Sequence, residues 1–492
     1  MTEHAMTILD LLEQSAQRTP KNVAIATTAG SITYEELVAR SKRLGAAIAA
    51  TDAGGSGVVA LFFPMIPEFV ISYMAALYAN KCVVPLNILL PAPELKYILN
   101  DAEATCVIAP PGLPPELATK VQQCGVTEHN LAKLAAIQNP PAVERKQGPE
   151  DVCTFLYTSG TTGNPKGVML TNRNLASNAA SAGAAMRLEP SNRFLACLPT
   201  FHTFAITGTM LAPLAVGASM VPMPKFDPEG VLTLASGLKC DTLLMVPSMY
   251  RLVTRMQERR PHDMAHLKLA VSGGEALPGA VRESFEKVFN VPLLEGYGQT
   301  ESSPVISFNM PWANKPGTVG KPIPDVQVKI LDPATLTELP ADTTGEIWVG
   351  GPNIMKGYYK RPDETKAALS ADGWLRTGDM GELTPDGFIR ITGRLREMIK
   401  VAGEMVFPAE VEHALLTHAA VFEAGVSGAK DERKGEIVRA FVVVKPNEKV
   451  TEDELLQHCR AHLAAYKVPR NIEFRTELPK GPTGKVMRRL LK

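Results

Sequence analysis

Short apolar runs alternating with stretches of helical period set the main limit on what this chain can fold into. VAIAT, GVVALFF (57–63), CVVPLN, TCVIAP, CTFLY (Cys153 to Tyr157), FLACLP, SMVPMP, TLLMVP and KLAVSGG are apolar almost throughout. Strands that read this way are buried on both faces, which calls for parallel sheets covered by helices. The helices are legible between them: TILDLLEQSAQRTP, stopped by Pro20; SITYEELVARSKRLGAAIAA, with Ser31 or Thr33 as cap; IPEFVISYMAALYANK; and ELKYILNDA. TCVIAP closes the first series, and residues 110–150, richer in Pro and polar residues, read as a connecting excursion. GTVGKPIPDVQVKILD, GEIWVGG and GFIRITGR alternate at period two, predicting a small antiparallel sheet or barrel. Beyond Arg394 the order strand, helix, strand, strand, helix, strand gives a separate α+β domain. The predicted fold class is therefore α/β: a large N-terminal domain of parallel-rich αβ sheets (1–394) with a small β-barrel-like subdomain, then a small α+β C-terminal domain (395–492).

Charge and cysteine usage narrow the function classes. Lys+Arg and Asp+Glu are 51 each, so nothing favours nucleic acid or an anionic membrane as partner. Eighteen Lys+Arg against fourteen Asp+Glu from Arg394 onward leave that part near +4. The seven cysteines are scattered without a C-x-x-C, which favours reduced thiols and a cytoplasmic setting. Acidic Glu3, Asp10 and Glu13 stand where an export signal needs an apolar core. From Phe194 to Pro224 there is no charge except a possible one on His202, but Pro199, Pro213, Pro222 and Pro224 with Gly208 and Gly217 favour strand, helix, strand over a membrane span.

Five stretches carry chemistry. YTSGTTGNPKG (Tyr157 to Gly167) has three glycines, five hydroxyls and one lysine. Such a loop can converge backbone N–H groups and Lys166 on polyphosphate, or can be an ordinary surface loop. VSGGEALP (Val271 to Pro278) is either an edge where a flat ring meets backbone or a tight strand-to-helix turn. EGYGQTES (Glu295 to Ser302) offers Thr300 to a phosphate and Glu301 to a divalent cation, or is a capped polar turn. In GWLRTGDMGEL, Asp379 could accept both hydroxyls of a ribose. LPKGPTGKVMRR is a solvated basic tail or a Gly-rich turn whose lysine reaches a phosphate. His458 and His462 are spaced i, i+4 but lack the glutamate of H-E-x-x-H, so no metal site is read there.

Taken in order, these stretches resemble the adenylate-forming superfamily, its acyl-CoA synthetase and fatty acid–CoA ligase branch above all, from TYEEL near Thr33 to GKVMRR. The resemblance implies ATP, Mg²⁺ and CoA. It implies that Thr158, Ser159, Gly160, Thr161, Thr162, Gly163 and Lys166 close over the β- and γ-phosphates. Gly274, Glu275 and Ala276 would face Gly296, Tyr297 and Gly298 across adenine. Thr300 would meet the α-phosphate, Glu301 the Mg²⁺, and Asp379 the ribose, with Arg394 beside it. Lys485 would bridge carboxylate and α-phosphate in a mobile C-terminal domain that pivots at Arg396 and then presents Gly403 and Glu404 to pantetheine. His202, in LPTFHTF, matches a residue near the carboxylate and thiol entrance. Two positions depart from the pattern: Met405 stands where relatives carry Asn or Gln, and Asn80 where they carry glycine, with only a local turn difference expected.

The expected activity is ATP-dependent carboxylate–CoA ligation through acyl-AMP, with a medium- or long-chain fatty acid as carboxylate. LPTFHTFAITGTMLAPLAVGA supplies apolar walls with the small residues Ala205, Gly208 and Thr209. An acyl-carrier protein as acceptor, an aryl carboxylate and a non-catalytic acyl- or nucleotide-binding role stay open, as do a homodimer and peripheral membrane contact.

Overall fold

In the computed structural model, which describes residues 6–51, 57–158, 165–431, 433, 435–479 and 486–491, the apolar runs form the inner strands of two large sheets. Contacts divide the chain into two units: Met1–Val328 with Val349–Leu375, and Lys329–Trp348 with Arg376–Lys492.

The first unit holds both large sheets. One has seven strands, in the order Gly357–Tyr358, Lys166–Thr171, Val152–Thr158, Cys82–Pro85, Val58–Leu61, Cys106–Ala109, Thr127–Asn130. From Val152–Thr158 to Thr127–Asn130 all pairings are parallel. Every residue of Cys82–Pro85 and Cys106–Ala109 is buried, as strands covered on both faces must be. Phe62, Val84, Ile98, Leu99, Val107 and Phe155 share one core on this sheet.

The other sheet has nine strands, in the order Lys321–Pro322, Val305–Phe308, Leu293–Gly298, Leu269–Ser272, Thr242–Met245, Arg193–Ala196, Ser219–Pro222, Val23–Thr27, Gly30–Thr33. Its centre is parallel, and the antiparallel pairings lie toward its two edges. The uncharged stretch after Phe194 is strand, helix, strand as expected. Among the described residues no helix is long and apolar enough to cross a membrane. Its helix begins with a wide π turn, Phe204–Leu211, before continuing as Ala212–Val216.

Local chemistry fixes the helix starts. Thr7, Thr33 and Thr171 each accept from the backbone three residues on, and a side chain there returns the bond. The cap of the second helix is thus Thr33, not Ser31. Residues 110–150 depart from the predicted excursion. They contain the helix Pro115–Gln123, the strand Thr127–Asn130 and the helix Leu131–Ala135. The strand is TEHN, an edge strand with little to bury, so it carries no apolar signal.

Most of a four-stranded sheet, Gln327–Leu331, Gly345–Gly350, Leu375–Leu383, Ile389–Arg394, falls in the second unit, and it is the small β subdomain expected from the period-two alternation. The second unit also has a five-stranded sheet in which Val421–Asp431 and Gly435–Val444 form a long antiparallel hairpin. The helices Pro408–Leu416 and Glu452–His462 supply Val411, Leu415, Leu455 and Cys459 to a core with Val426, Ala440 and Val442. All seven cysteines are unpaired and buried.

Candidate active site

In the first unit the strands that flank the glycine-rich stretch are paired: Val152–Thr158 runs antiparallel to Lys166–Thr171, with Thr158 directly opposite Lys166. Ser159, Gly160, Thr161, Thr162 and Gly163 lie outside the described residues. Lys166, at the loop's foot, is about four-fifths buried. Its Nζ is 2.9 Å from Glu364 Oε2 and 3.8 Å from the ring centre of Tyr358. Gly357–Tyr358 pairs with Lys166–Thr171, and that register brings the phenol beside the lysine.

The Tyr358 hydroxyl donates to Glu301 Oε1 at 2.8 Å. Burial first, and the Glu301 charge second, raise the phenol's pKa well above its ordinary value, so it stays a neutral donor. Glu301 sits in the 3₁₀ turn Thr300–Ser302 that follows the strand Leu293–Gly298, and its backbone carbonyl accepts from Met355 N–H at 2.9 Å. A carboxylate with one oxygen held by a phenol is a hard oxygen ligand of the kind Mg²⁺ takes alongside phosphate oxygens and water. Thr300 and Glu301 are both half-buried.

Two neighbouring parallel strands end side by side here. Leu269–Ser272 leads into Gly274, Glu275 and Ala276, and Leu293–Gly298 ends in Gly296, Tyr297 and Gly298. Ligands of open α/β sheets bind outside such carboxyl ends. Gly274 has φ +82°, a conformation that glycine adopts without cost, and it is exposed. A Cβ on Gly298 would fall 2.0 Å from the Pro304 carbonyl oxygen, so no side chain fits at that end. The two ends are tied: Leu277 N–H donates to Glu295 Oε1 at 2.8 Å. Burial raises the Glu295 carboxyl to about 7, against the smaller opposing effects of that N–H and of Arg282.

His202 precedes the π turn, its ring 4.4 Å from that of Phe201. Its side chain is exposed, yet enough protein surrounds the ring for desolvation to lower its pKa. Within the helix, Thr207 Oγ1 donates to the Ser303 carbonyl at 2.6 Å and Thr209 Oγ1 to Ala205 at 2.7 Å.

In the second unit, Leu375–Leu383 and Ile389–Arg394 are antiparallel, with Asp379 directly opposite Arg394. Arg394 Nε is 2.9 Å from Asp379 Oδ1; the aspartate is buried and the arginine partly exposed. Arg396 is exposed in the 3₁₀ turn Leu395–Glu397. Gly403 and Glu404 are exposed at the tight turn joining Ile399–Val401 to Glu404–Val406, where Ala402 and Gly403 both have positive φ. Met405 is exposed beside them. Lys485 lies outside the described residues. The basic tail is not simply solvated: Arg488 is bound by Glu412 and Glu397.

The first unit thus gathers Thr158, Lys166, Thr300 and Glu301 with both walls of the proposed adenine slot, and the second pairs Asp379 with Arg394. Sequence reasoning missed Tyr358, Glu364 and Glu295. The first two stand in GYYKRPDET, where only strand pairing reveals them. Glu295 opens EGYGQTES, and nothing in that string shows that its carboxylate is largely desolvated and bonded to Leu277 N–H.

Residues 12–359 match the AMP-binding enzyme family, and residues 410–485 match the AMP-binding enzyme C-terminal domain. The chain belongs to this family. A long-chain-fatty-acid–CoA ligase of Bacillus subtilis (strain 168) is 35% identical to this AMP-binding enzyme, over 99% of this chain and 94% of the relative. A feruloyl-CoA synthase of an Amycolatopsis species is 33% identical over 96% of each chain. The ATP-bound crystal structure of MatB from Rhodopseudomonas palustris has a TM-score of 0.87 at 30% identity, covering 99% of this chain and 98% of that one. With these relatives the chain stands among the AMP-forming acid–thiol ligases.

Proposed function

We propose that this AMP-binding enzyme is a carboxylate–CoA ligase for medium- or long-chain fatty acids. A carboxylate oxygen attacks the α-phosphorus of ATP, the bond to the β-phosphate oxygen breaks, and pyrophosphate leaves. The CoA sulfur then adds to the acyl carbonyl carbon, the bond to AMP breaks, and the thiol proton passes to solvent base.

In this reading Thr158, Lys166 and residues 159–163 hold the leaving pyrophosphate, and Thr300 holds the α-phosphate. Glu301 holds the Mg²⁺ that accompanies ATP and offsets phosphate charge. Gly274–Ala276 and Gly296–Gly298 flank adenine. Asp379 accepts the ribose hydroxyls, with Arg394 orienting it. Lys485 lowers the cost of bringing two anions together. A domain of residues 395–492 pivots at Arg396, withdrawing Lys485 and presenting Gly403 and Glu404 to pantetheine. His202 stands at the carboxylate entrance. Seven buried, unpaired thiols suit a cytoplasmic enzyme.

The observation that carries the substrate reading is the 2.6 Å bond from Thr207 to Ser303. It joins the apolar helix Phe204–Leu211 to the turn after Glu301, which supports an apolar wall for the carboxylate's chain beside the residues assigned to phosphate. The charge of about +4 from Arg394 onward supports a second reading, in which the acceptor is the phosphopantetheine of an acidic carrier protein.

AMP release across octanoate, palmitate and ferulate, with CoA, carrier protein or neither, tests these readings. The expected result is CoA-dependent AMP release with octanoate and palmitate. A methylene is worth about 1–3 kcal/mol, so preference should be graded along the alkyl series. In the same assay Lys485→Ala should abolish carboxylate-dependent pyrophosphate exchange and spare thioester formation from supplied acyl-adenylate. Release with ferulate alone would overturn the alkyl assignment, and equal loss of both half-reactions would overturn the lysine's role.

A further inference from the structure

The contacts around Tyr358 join two groups that sequence alone leaves far apart. Its ring lies under the Lys166 ammonium, 3.8 Å from Nζ to the ring centre, and its hydroxyl donates to Glu301 Oε1 at 2.8 Å. The phenol is itself held. It is buried, its backbone N–H donates to Thr365 Oγ1 at 2.9 Å, and Thr365 Oγ1 donates to the Arg361 carbonyl at 2.8 Å. The same segment grips Glu301 a second time, through Met355 N–H and the Glu301 carbonyl at 2.9 Å. Lys166 has one carboxylate partner among the described residues, Glu364, at 2.9 Å. Glu364 is two-fifths exposed and lies 3.9 Å from a second cation, Arg361 Nε.

We propose that Tyr358 is the positioning residue that couples the loop lysine to the cation ligand, and that Glu364 is a stand-in counter-ion which polyphosphate displaces from Lys166. This rests on the reading that Lys166 serves polyphosphate and Glu301 its Mg²⁺. The ring face keeps the ammonium in place by cation–π attraction whether its partner is a carboxylate or a phosphate. The hydroxyl holds one oxygen of Glu301 and so directs the other. A single carboxylate cannot match the charge of a triphosphate at the same ammonium. On displacement Glu364 moves to Arg361 and water, so neither charge is stranded. Tyr358 thus has two separable outputs, one through its ring and one through its hydroxyl.

Calorimetric titration of the full chain with ATP in EDTA, and then with Mg²⁺ at fixed ATP, separates them. Tyr358→Phe keeps the ring: ATP affinity in EDTA should stay within about twofold of the parent, and the Mg²⁺ needed for half-saturation should rise about tenfold, the effect of losing a hydrogen bond to a charged group. Tyr358→Leu should show the same Mg²⁺ defect and also bind ATP in EDTA about fivefold more weakly. Glu364→Gln should bind ATP in EDTA several-fold more tightly, because the competitor is gone. Lys166→Ala and Glu301→Gln are run alongside. If they change ATP and Mg²⁺ binding while the Tyr358 and Glu364 variants match the parent, the coupling is wrong and the site reading stands. If they change neither, the site reading fails and the coupling with it. Weaker ATP binding by Glu364→Gln would overturn the counter-ion role. Tyr358→Phe is nearly isosteric, so a fold defect in Tyr358→Leu leaves the hydroxyl arm decisive.

Discussion

Lys166 meets Glu364 through a single contact, whereas Arg488 meets Glu412 with two nitrogens, at 2.8 and 2.6 Å, and Glu397 with the third. Both cations are about four-fifths buried. Their surroundings differ. Glu364 is two-fifths exposed and has another cation near it, while Glu412 is only 13% exposed and also accepts from Val426 N–H at 2.9 Å. Burial works against the charge on Arg488, but the two glutamates more than offset it and hold its pKa above the ordinary value. The difference follows from side-chain chemistry. A lysine is a point charge on a flexible stem, easily passed from one anion to another; a planar guanidinium bonded through all three of its nitrogens is a fixed joint. One pair suits exchange with a ligand, the other suits holding the chain in place. What Arg488 holds is the stretch that follows Lys485. Met487 N–H donates to the Pro479 carbonyl at 2.8 Å, and Leu491 packs with Phe441, Val443 and Leu478.

The strongest challenge to this contrast is Arg488→Met. It leaves two carboxylates partly buried without their cation, which costs about 3 kcal/mol of stability in the C-terminal unit. Urea unfolding should show that loss, and Arg488→Lys should recover only part of it, since lysine cannot fill the bidentate site. ATP affinity in EDTA should be unchanged. A loss below about 1 kcal/mol would put Arg488 in the same exchangeable class as Lys166.

The contrast also explains what could be read from the sequence. The parallel sheets were legible because strands such as Cys82–Pro85 are buried on both faces and must be apolar throughout. Thr127–Asn130 was not, because an edge strand can be as polar as TEHN and its place is set by pairing with Cys106–Ala109. Motifs rich in glycine marked the stretch that follows Val152–Thr158 and the ends of Leu269–Ser272 and Leu293–Gly298. Glu364 and Tyr358 announced nothing, since Glu364 is 198 positions from Lys166 and Tyr358 is 57 from Glu301. Only the antiparallel pairing of Gly357–Tyr358 with Lys166–Thr171 brings them together. Asn80, expected to change only a local turn, has φ 56°, where glycine is at ease, and its side chain also binds Glu144, Lys146 and Gln147 backbone groups at 2.9, 2.7 and 3.2 Å. Residue type alone suggested the turn, and not the 144–147 strap that it fastens.

Glu295 provides a middle case, a carboxylate held by the Leu277 N–H at 2.8 Å, with no salt-bridging cation among the described residues. Its folded pKa, about 7, is above the ordinary carboxylate value because of burial. The folded state therefore keeps a proton that the unfolded chain releases. This contribution is complete below the unfolded pKa and is lost as pH rises toward 7. Glu295→Gln keeps the acceptor for Leu277 N–H and removes the titration. Denaturant unfolding should find the variant more stable than the parent by about 2 kcal/mol at pH 8, with allowance for partial exposure, and little different at pH 4.5. A parent whose stability rises between pH 4.5 and 8 relative to the variant would mean that Glu295 has a cationic partner like the other two clusters.

The smallest effect is expected from Lys166→Met, measured by the same unfolding experiment. The methionine keeps an apolar chain of similar length beside the Tyr358 ring and removes the charge that lies 3.8 Å from its centre. Glu364 is then left two-fifths exposed with Arg361 Nε at 3.9 Å, so water and that arginine take over its solvation. Partly exposed pairs of this kind contribute about 0–1 kcal/mol, and the midpoint should move correspondingly little. Mutating the residue proposed to meet polyphosphate should therefore leave folding nearly untouched while ATP affinity falls. If Lys166→Met instead destabilised the protein as much as Arg488→Met, the Glu364 pair would be a structural joint. Polyphosphate could then not displace it without loosening the strand Lys166–Thr171, and the handover of Lys166 from Glu364 to ATP would be ruled out.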